Sequence, residues 1–380
     1  MRASTRIDTV AVRAGHDVDP GTGAITEPIT MSVSFERDAD GSHSRGYHYG
    51  AAGNPNRSAL ERALAALEGG GEALAFSSGS AAISAVLRAV LSPGAHVLLP
   101  EDVFQGTARL LKRLSEWGVE HDAVDMTSME TLGRAFKPNT ALVWTETLSN
   151  PLLKVADIGA IASLAHQRDA VHVVDNTFAT PMFHQPLAFG ANYVVHSSTK
   201  YLSGHGDVVG GSVIFSDSAP LAERLRELQW IDGAVPSPFD CWLTHRGLKT
   251  LPCRMRAHAA NAVRIAEFLA THPHVIEVYH PGLAGSPSRT DAASLLSGYG
   301  GVVSFRVAGG QRRALQVAGA VTLFRRATSL GAVDSLIQHQ ASSPTHGAGT
   351  SLPDDLLRLS VGLEHAEDLI DDLDQALNSC

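Results

Sequence analysis

Cysteine is scarce. Only Cys241, Cys253 and Cys380 occur in 380 residues, too few and too irregularly spaced for a disulfide framework or a zinc site. Cys380 ends the chain and reads as an exposed, incidental thiol. Aromatic residues are also thin, at 6%. No apolar run is long enough to span a bilayer. Met1 to Val18 mixes Arg, Asp and His and holds no apolar signal core, so the expected compartment is the cytoplasm. Blocks of like charge are missing too. Charged residues make up 18%, the basic ones are scattered and the net charge is -9, which gives no electrostatic reason to expect nucleic acid or an anionic membrane as partner. There is no internal repeat. What is plentiful is core-forming material, at 44% hydrophobic residues, enough for one large and one small domain.

Residues 1–53 are polar, Gly-rich and weakly periodic, and read as an arm that needs another surface to pack on. From Asn54 the pattern changes. Asn54 can cap a helix and Pro55 suits its first turn, with Leu60, Ala63, Leu64 and Leu67 on one face before Gly69-Gly70-Gly71 stops it. Ala73–Phe76 reads as a strand, Ser77-Ser78-Gly79-Ser80 as a tight turn, and a helix follows. Further strands are expected at Val97–Leu99, Val119–Val124, Ala141–Thr145, Val171–Asp175, Tyr193–His196 and Ser212–Phe215, most of them separated by helices such as Thr107–Trp117 and Asp157–Arg168. Short apolar strands alternating with helices predict a mostly parallel sheet covered on both faces, with ligands at the carboxyl ends of its strands. After about residue 250 a long helix, Met255–Leu269, precedes strands at Val275–Tyr279, Val302–Val307 and Leu357–Val361. The expected division is therefore an arm (1–53), a large α/β domain (54–250) and a smaller α+β domain (251–380).

Three segments carry chemistry. In Tyr193-Val194-Val195-His196-Ser197-Ser198-Thr199-Lys200, a buried strand runs into hydroxyls and a lysine. Partial burial lowers a lysine pKa and frees the amine as nucleophile and base, while Ser197 and Thr199 offer hydroxyls to a phosphate. Taken alone, the segment leaves open a surface lysine at a strand end. In Val171–Asp175 an Asp closes another strand, where it either caps a loop or supports a protonated ring nitrogen. Ser77-Ser78-Gly79-Ser80 opens a helix whose N-terminal amides suit a phosphate, without a Walker lysine or a GxGxxG fingerprint. Phosphate turn, Asp after a strand and Lys after a later strand together make the set of parts that pyridoxal phosphate chemistry requires. His196 and His205 lie near the lysine and read as loop-orienting residues; no pair has metal-ligand spacing.

The stretch from Val194 to His205 resembles the lysine signature of the pyridoxal-phosphate enzymes of cystathionine and methionine metabolism. Further matches are Gly53-Asn54-Pro55-Asn56-Arg57, Phe239–Thr250, Ser329-Leu330-Gly331 and Arg358–Glu364. The resemblance covers nearly the whole chain. It implies the aspartate-aminotransferase-like fold of type I, with a seven-stranded sheet, and a homotetramer built as a dimer of dimers with the arm on a neighbouring subunit. It implies pyridoxal 5'-phosphate bound covalently as a Schiff base on Lys200, Asp175 on the ring nitrogen, and Gly79, Ser80, Ser197 and Thr199 on the phosphate. Asn150 is placed at the ring hydroxyl, Phe104 over the ring, and Arg358 with Ser329 at the substrate carboxylate. Tyr49 reaches the phosphate of the neighbouring subunit and counts with Lys200 and Asp175 among the catalytic groups.

Three departures bear on the reaction. Ala51 stands where the family usually has Arg, Phe104 where it usually has a ring-stacking Tyr, and Thr328 where many cystathionine-handling members have Glu. Phe104 can stack but cannot donate a proton to a leaving group. The expected activity is that of a carbon–sulfur lyase, with γ-elimination from cystathionine, methionine or homocysteine giving 2-oxobutanoate, ammonia and a thiol. The alternative is γ-replacement on O-acylhomoserine, as in cystathionine γ-synthase or a sulfhydrylase. A non-catalytic cofactor-binding subunit and an aminotransferase are the readings from other classes.

Overall fold

The computed structural model describes residues 5–216, 219–342 and 352–379, so Cys380 lies outside the described residues. Seven strands form the larger sheet: β1 (Glu72–Phe76), β2 (His96–Pro100), β3 (Glu120–Val124), β4 (Thr140–Glu146), β5 (Val171–Asp175), β6 (Tyr193–His196) and β7 (Gly211–Phe215). Their order across the sheet is β1-β7-β6-β5-β4-β2-β3. Strands β3, β2, β4, β5 and β6 run parallel, and β7 is antiparallel to both β6 and β1. The expected α/β architecture is present, and both faces are covered. Along β6, Tyr193 and Val195 join the core on one face while Val194 joins the core on the other. β7 alternates in the same way, with Val213 and Phe215 opposite Ile214, as a pleat of period two requires.

Helices α1 (Ile7–Arg13), α2 (Pro55–Glu68), α3 (Gly79–Val90) and α4 (Gln105–Leu114) precede or follow the first strands. The Asn54 side chain accepts from the amides of Asn56 and Arg57, and Gly69 closes α2 with φ 70°, a left-handed conformation open to glycine at little cost. Helix α1 differs from the expectation of an irregular arm. It is seven residues long with only Ala11 buried, so its periodicity is faint. It is held instead by packing, because Ala11 and Ala14 share a core cluster with Leu60, Ala63 and Leu64 of α2.

The second sheet contains β8 (Val275–Tyr279), β9 (Val302–Val307), β10 (Arg325–Arg326), β11 (Leu336–His339) and β12 (Leu356–Ser360) in the order β10-β11-β12-β9-β8. The helices Leu251–Thr271, Gly310–Ala320 and Ala366–Ser379 contribute Ile265, Leu269, Val317, Leu369 and Leu373 to its core. Strands β10 and β11 were not foreseen. The first has two exposed residues, and the second is interrupted by Gln338 and His339. No helix among the described residues is long and apolar enough to cross a membrane.

Candidate active site

The parallel order sets three strand ends side by side. Glu146, the last residue of β4, pairs in register with Asp175, the last of β5, and Asp175 pairs with Val195 of β6. The chain leaving β6 carries Ser197, Thr199 and Lys200 over this edge, and the turn after β1 brings Ser78, Gly79 and Ser80 to it. They line a cavity of 270 Å³ together with Phe104, Asn150, Ser329 and Arg358. Of the residues expected at the site, Tyr49 alone does not line it. It is 49% exposed, in an isolated bridge with Ser34.

Lys200 points its Nζ at Ser329, donating to the hydroxyl at 2.8 Å. Burial, and secondarily the Arg358 guanidinium, pull its pKa from 10.5 down to about 8. A sizeable fraction of the amine is therefore neutral near physiological pH. Ser329 is held at φ 130°, a backbone region that costs a non-glycine residue of order 1–3 kcal/mol. In that conformation its hydroxyl meets Lys200 while its carbonyl accepts from Arg358 at 3.2 Å. Gly331, with φ 79°, lets the same segment close on the lysine loop, where a Cβ would meet the Tyr201 amide nitrogen at 2.7 Å.

Arg358 is buried in the centre of the second sheet, and all its partners are neutral. Nη1 donates to Oδ1 of Asn150 at 2.9 Å, and Nη2 donates to Oε1 of Gln338 at 2.8 Å and to the Ser329 carbonyl. Burial lowers its pKa to about 10. A buried guanidinium without a counter-charge is costly, and here it faces a cavity that a carboxylate can enter. Asp175 presents the opposite case. Its Oδ1 accepts from the Thr177 amide at 3.0 Å, and burial raises its pKa above the ordinary carboxyl range, opposed by Thr177 and by His196. A protonated ring nitrogen beside it would supply the missing positive charge.

The phosphate end is a matched close approach. Ser78 caps α3, accepting from the Ala81 amide at 3.1 Å. A Cβ at Gly79 would stand 2.9 Å from the Cβ of Ser197, so only glycine leaves room for the helix N-terminus and the Ser197 hydroxyl to share one ligand. Thr199 departs slightly from expectation. Its hydroxyl donates to the Gly210 carbonyl at 3.2 Å and accepts from the Gly210 amide at 2.9 Å, so it also braces the loop. An uncompensated acid at one end, an uncompensated base at another, a lysine with an accessible neutral form and a glycine-walled anion cradle fit pyridoxal phosphate.

Sequence reasoning missed Glu146, Gln338 and Gln340, which also line the cavity. Glu146 accepts from the Phe104 amide at 2.7 Å and from the Asn150 amide, tying together the two loops that carry these residues. Burial, with Asp175 adjacent, keeps its carboxyl well above the usual pKa. Its signal was an acidic residue ending the buried run Val143-Trp144-Thr145, the same pattern that singled out Asp175.

Fold and cavity together define an enzyme that works through pyridoxal phosphate on an amino acid. The model of the family described as "Cys/Met metabolism PLP-dependent enzyme" matches residues 8–378, and the chain belongs to that family. It is 48% identical over 373 residues to "Cystathionine gamma-synthase" of Mycobacterium tuberculosis, spanning 97% of this chain and 96% of that one. It is 44% identical over 381 residues to "Cystathionine beta-lyase" of Lactococcus lactis, spanning 98% and 99%. The solved structure of cystathionine gamma synthase from Xanthomonas oryzae in complex with aminoacrylate and cysteine superposes with a TM-score of 0.95 at 42% identity, covering 99% of this chain and 98% of that one.

Proposed function

We propose that the chain catalyses γ-replacement on an O-acylhomoserine, with a thiol such as cysteine as acceptor. The Cγ–O bond breaks, a Cγ–S bond forms, and the thiol proton leaves with the carboxylate. This reverses the order of preference drawn from the sequence, which put γ-elimination first. The observation that carries it is Phe104, an aromatic wall of the cavity, 38% exposed, that has no hydroxyl. A carboxylate with an ordinary pKa of about 4 departs without a proton, whereas a thiolate with a pKa of about 8.5 needs one in the transition state. The greater identity to a relative named as a synthase than to one named as a lyase supports the same choice.

When bound, pyridoxal phosphate supplies an electron sink for charge developing at the substrate's α and β carbons. Lys200 first holds the coenzyme and then moves protons at those carbons from its neutral amine. Asp175 keeps a proton at the ring nitrogen. Arg358 exchanges its neutral partners for the substrate α-carboxylate, gripping it with a fork of charge-assisted hydrogen bonds, and Ser329 sets the distance between this anchor and Lys200. Gly79, Ser80, Ser197 and Thr199 hold the phosphate, Asn150 the ring hydroxyl, and Phe104 covers the ring and excludes water.

The same reading takes 1–53 as an arm onto a second subunit, 54–250 and 251–380 as large and small domains, and the working form as a cytoplasmic homotetramer in which Tyr49 completes the neighbour's site. The arm's exposed Ile25, Met31, Val33 and Tyr49 support it. An assay of O-acetylhomoserine with cysteine should yield cystathionine faster than cystathionine or methionine alone yields ammonia. Ammonia release from the thioethers at the higher rate would reverse the assignment.

A further inference from the structure

β11 lies beside β12 in antiparallel register, with Gln338 opposite Arg358. Side chains alternate along it. Ile337 enters the core of the second sheet, and His339 turns to Ser342 and the Asp354 carbonyl. Gln338, on the other face, reaches Arg358 in the cavity. Gln340 follows two residues later, its amide nitrogen still bonded across to the Leu356 carbonyl at 3.1 Å. Period two therefore aims its side chain at the cavity that it lines. Gln340 is 5% exposed, and its Nε2 is buried with no hydrogen-bond partner among the described residues. A buried amide donor left unpaired is costly unless a ligand pairs it. Its surroundings limit what that ligand presents. Among the described residues that line the cavity, Thr328, Gln338 and Leu352 are uncharged; of its two cationic side chains, Lys200 bonds to Ser329 and Arg358 is the proposed anchor of the α-carboxylate.

We infer that Gln340 is a specificity-determining residue that donates its Nε2–H to the carbonyl oxygen of an uncharged acyl group carried on the substrate's γ oxygen. The inference rests on the γ-replacement reading for the identity of that group. An α-carboxylate on Arg358 directs the rest of an extended homoserine ester along the same sheet edge, where a neutral amide recognises a neutral carbonyl. A site that hydrogen-bonds a ligand group also rejects analogues lacking it, because its own donor is then left unpaired.

The test separates recognition from turnover. Calorimetric binding to the pyridoxal-phosphate-loaded protein is compared for N4-acetyl-2,4-diaminobutanoate, an amide isostere of O-acetylhomoserine with no ready leaving group, and for 2-aminoheptanoate, which lacks the carbonyl. The wild type should prefer the amide by about tenfold, the size of one neutral hydrogen bond. Gln340→Met should abolish that preference while leaving the affinity for 2-aminoheptanoate unchanged. No preference in the wild type, or a preference that survives in Gln340→Met, overturns the inference. So does tighter wild-type binding of an amide analogue ending in a carboxylate. Should Gln340→Met fail to fold, Gln340→Asn, with its shorter reach, takes its place and should weaken the amide alone; an unweakened amide then overturns the inference. Amide preference without cystathionine formation from O-acetylhomoserine and cysteine keeps the subsite and removes only the γ-replacement reading.

Discussion

The Nζ of Lys200 and the hydroxyl of Ser329 stand 2.8 Å apart, although 129 residues separate them in sequence. Ser329 also offers its carbonyl to Arg358. One strained residue thus fixes the spacing between the proton-transfer group and the carboxylate anchor. Ser329→Ala should lower kcat more than it raises KM, by about tenfold, in line with the loss of one hydrogen bond to a charged group. Steady-state kinetics that show only a KM effect would assign Ser329 to substrate binding alone.

The depressed pKa of Lys200 gives a pH dependence. Below about 8 the amine is largely protonated, and above it the neutral form dominates. The rate at which apoprotein takes up pyridoxal phosphate should therefore rise with pH and level off above about 8, followed by the visible absorption of the product. Borohydride should then fix the coenzyme to Lys200, and Lys200→Ala should leave none fixed. The same shift bears on stability. The unfolded chain holds this proton up to 10.5, so between about 8 and 10.5 the unfolded state binds more protons than the folded one. Over that window this group makes the apoprotein more stable as pH rises.

Arg358→Lys preserves charge but loses the planar fork. The expected result is a fall in kcat/KM of about 10- to 100-fold, carried mainly by KM, in keeping with the 1.5–3 kcal/mol typical of a charged hydrogen bond. Arg358→Met should cost more in substrate affinity and only modestly in folding, because relief of a buried charge without a counter-charge offsets the donors lost to Asn150, Gln338 and Ser329. Substrate titrations and thermal melts separate the two effects.

Glu146→Gln keeps an acceptor for the Phe104 and Asn150 amides and mimics the protonated acid that burial favours. Activity at neutral pH should change less than threefold, on the order of 0.5 kcal/mol. Glu146→Ala leaves those amides unpaired and should lower stability by about 1–3 kcal/mol, with weaker coenzyme retention on dialysis.

Phe104→Tyr places a hydroxyl over the cavity. It should raise ammonia release from cystathionine or methionine in the absence of added thiol. An unchanged rate would mean that the leaving group takes its proton from elsewhere in the site.

The large sheet was legible because its strands are short apolar runs bounded by turns. Val171–Asp175 and Tyr193–His196 coincide with the observed β5 and β6. Lys200, Asp175 and the turn at Ser78 were legible for the same reason, since each polar residue ends such a run. Phe104, Asn150, Ser329 and Arg358 needed the family resemblance, and the cavity brings all four together. Gln338 and Gln340 were not legible. Gln338 sits on a strand too polar to announce itself and Gln340 lies just beyond it; the meaning of the first lies in its bond to Arg358, and of the second in lining the cavity. Tyr49, drawn from the resemblance alone, stands outside the cavity of its own chain, as its proposed role toward a second subunit requires.

The approach of Gly79 to Ser197 leaves no slack, and the difficulty is spatial rather than conformational. A single methyl at 79 would act as a wedge between the start of α3 and the loop carrying Lys200. Neither element needs to unfold for the anion seat to be pried open. Position 79 is thus a point where the smallest chemical change can produce a well-folded chain that loses its coenzyme, a failure that a solubility screen would pass and a colour screen would catch.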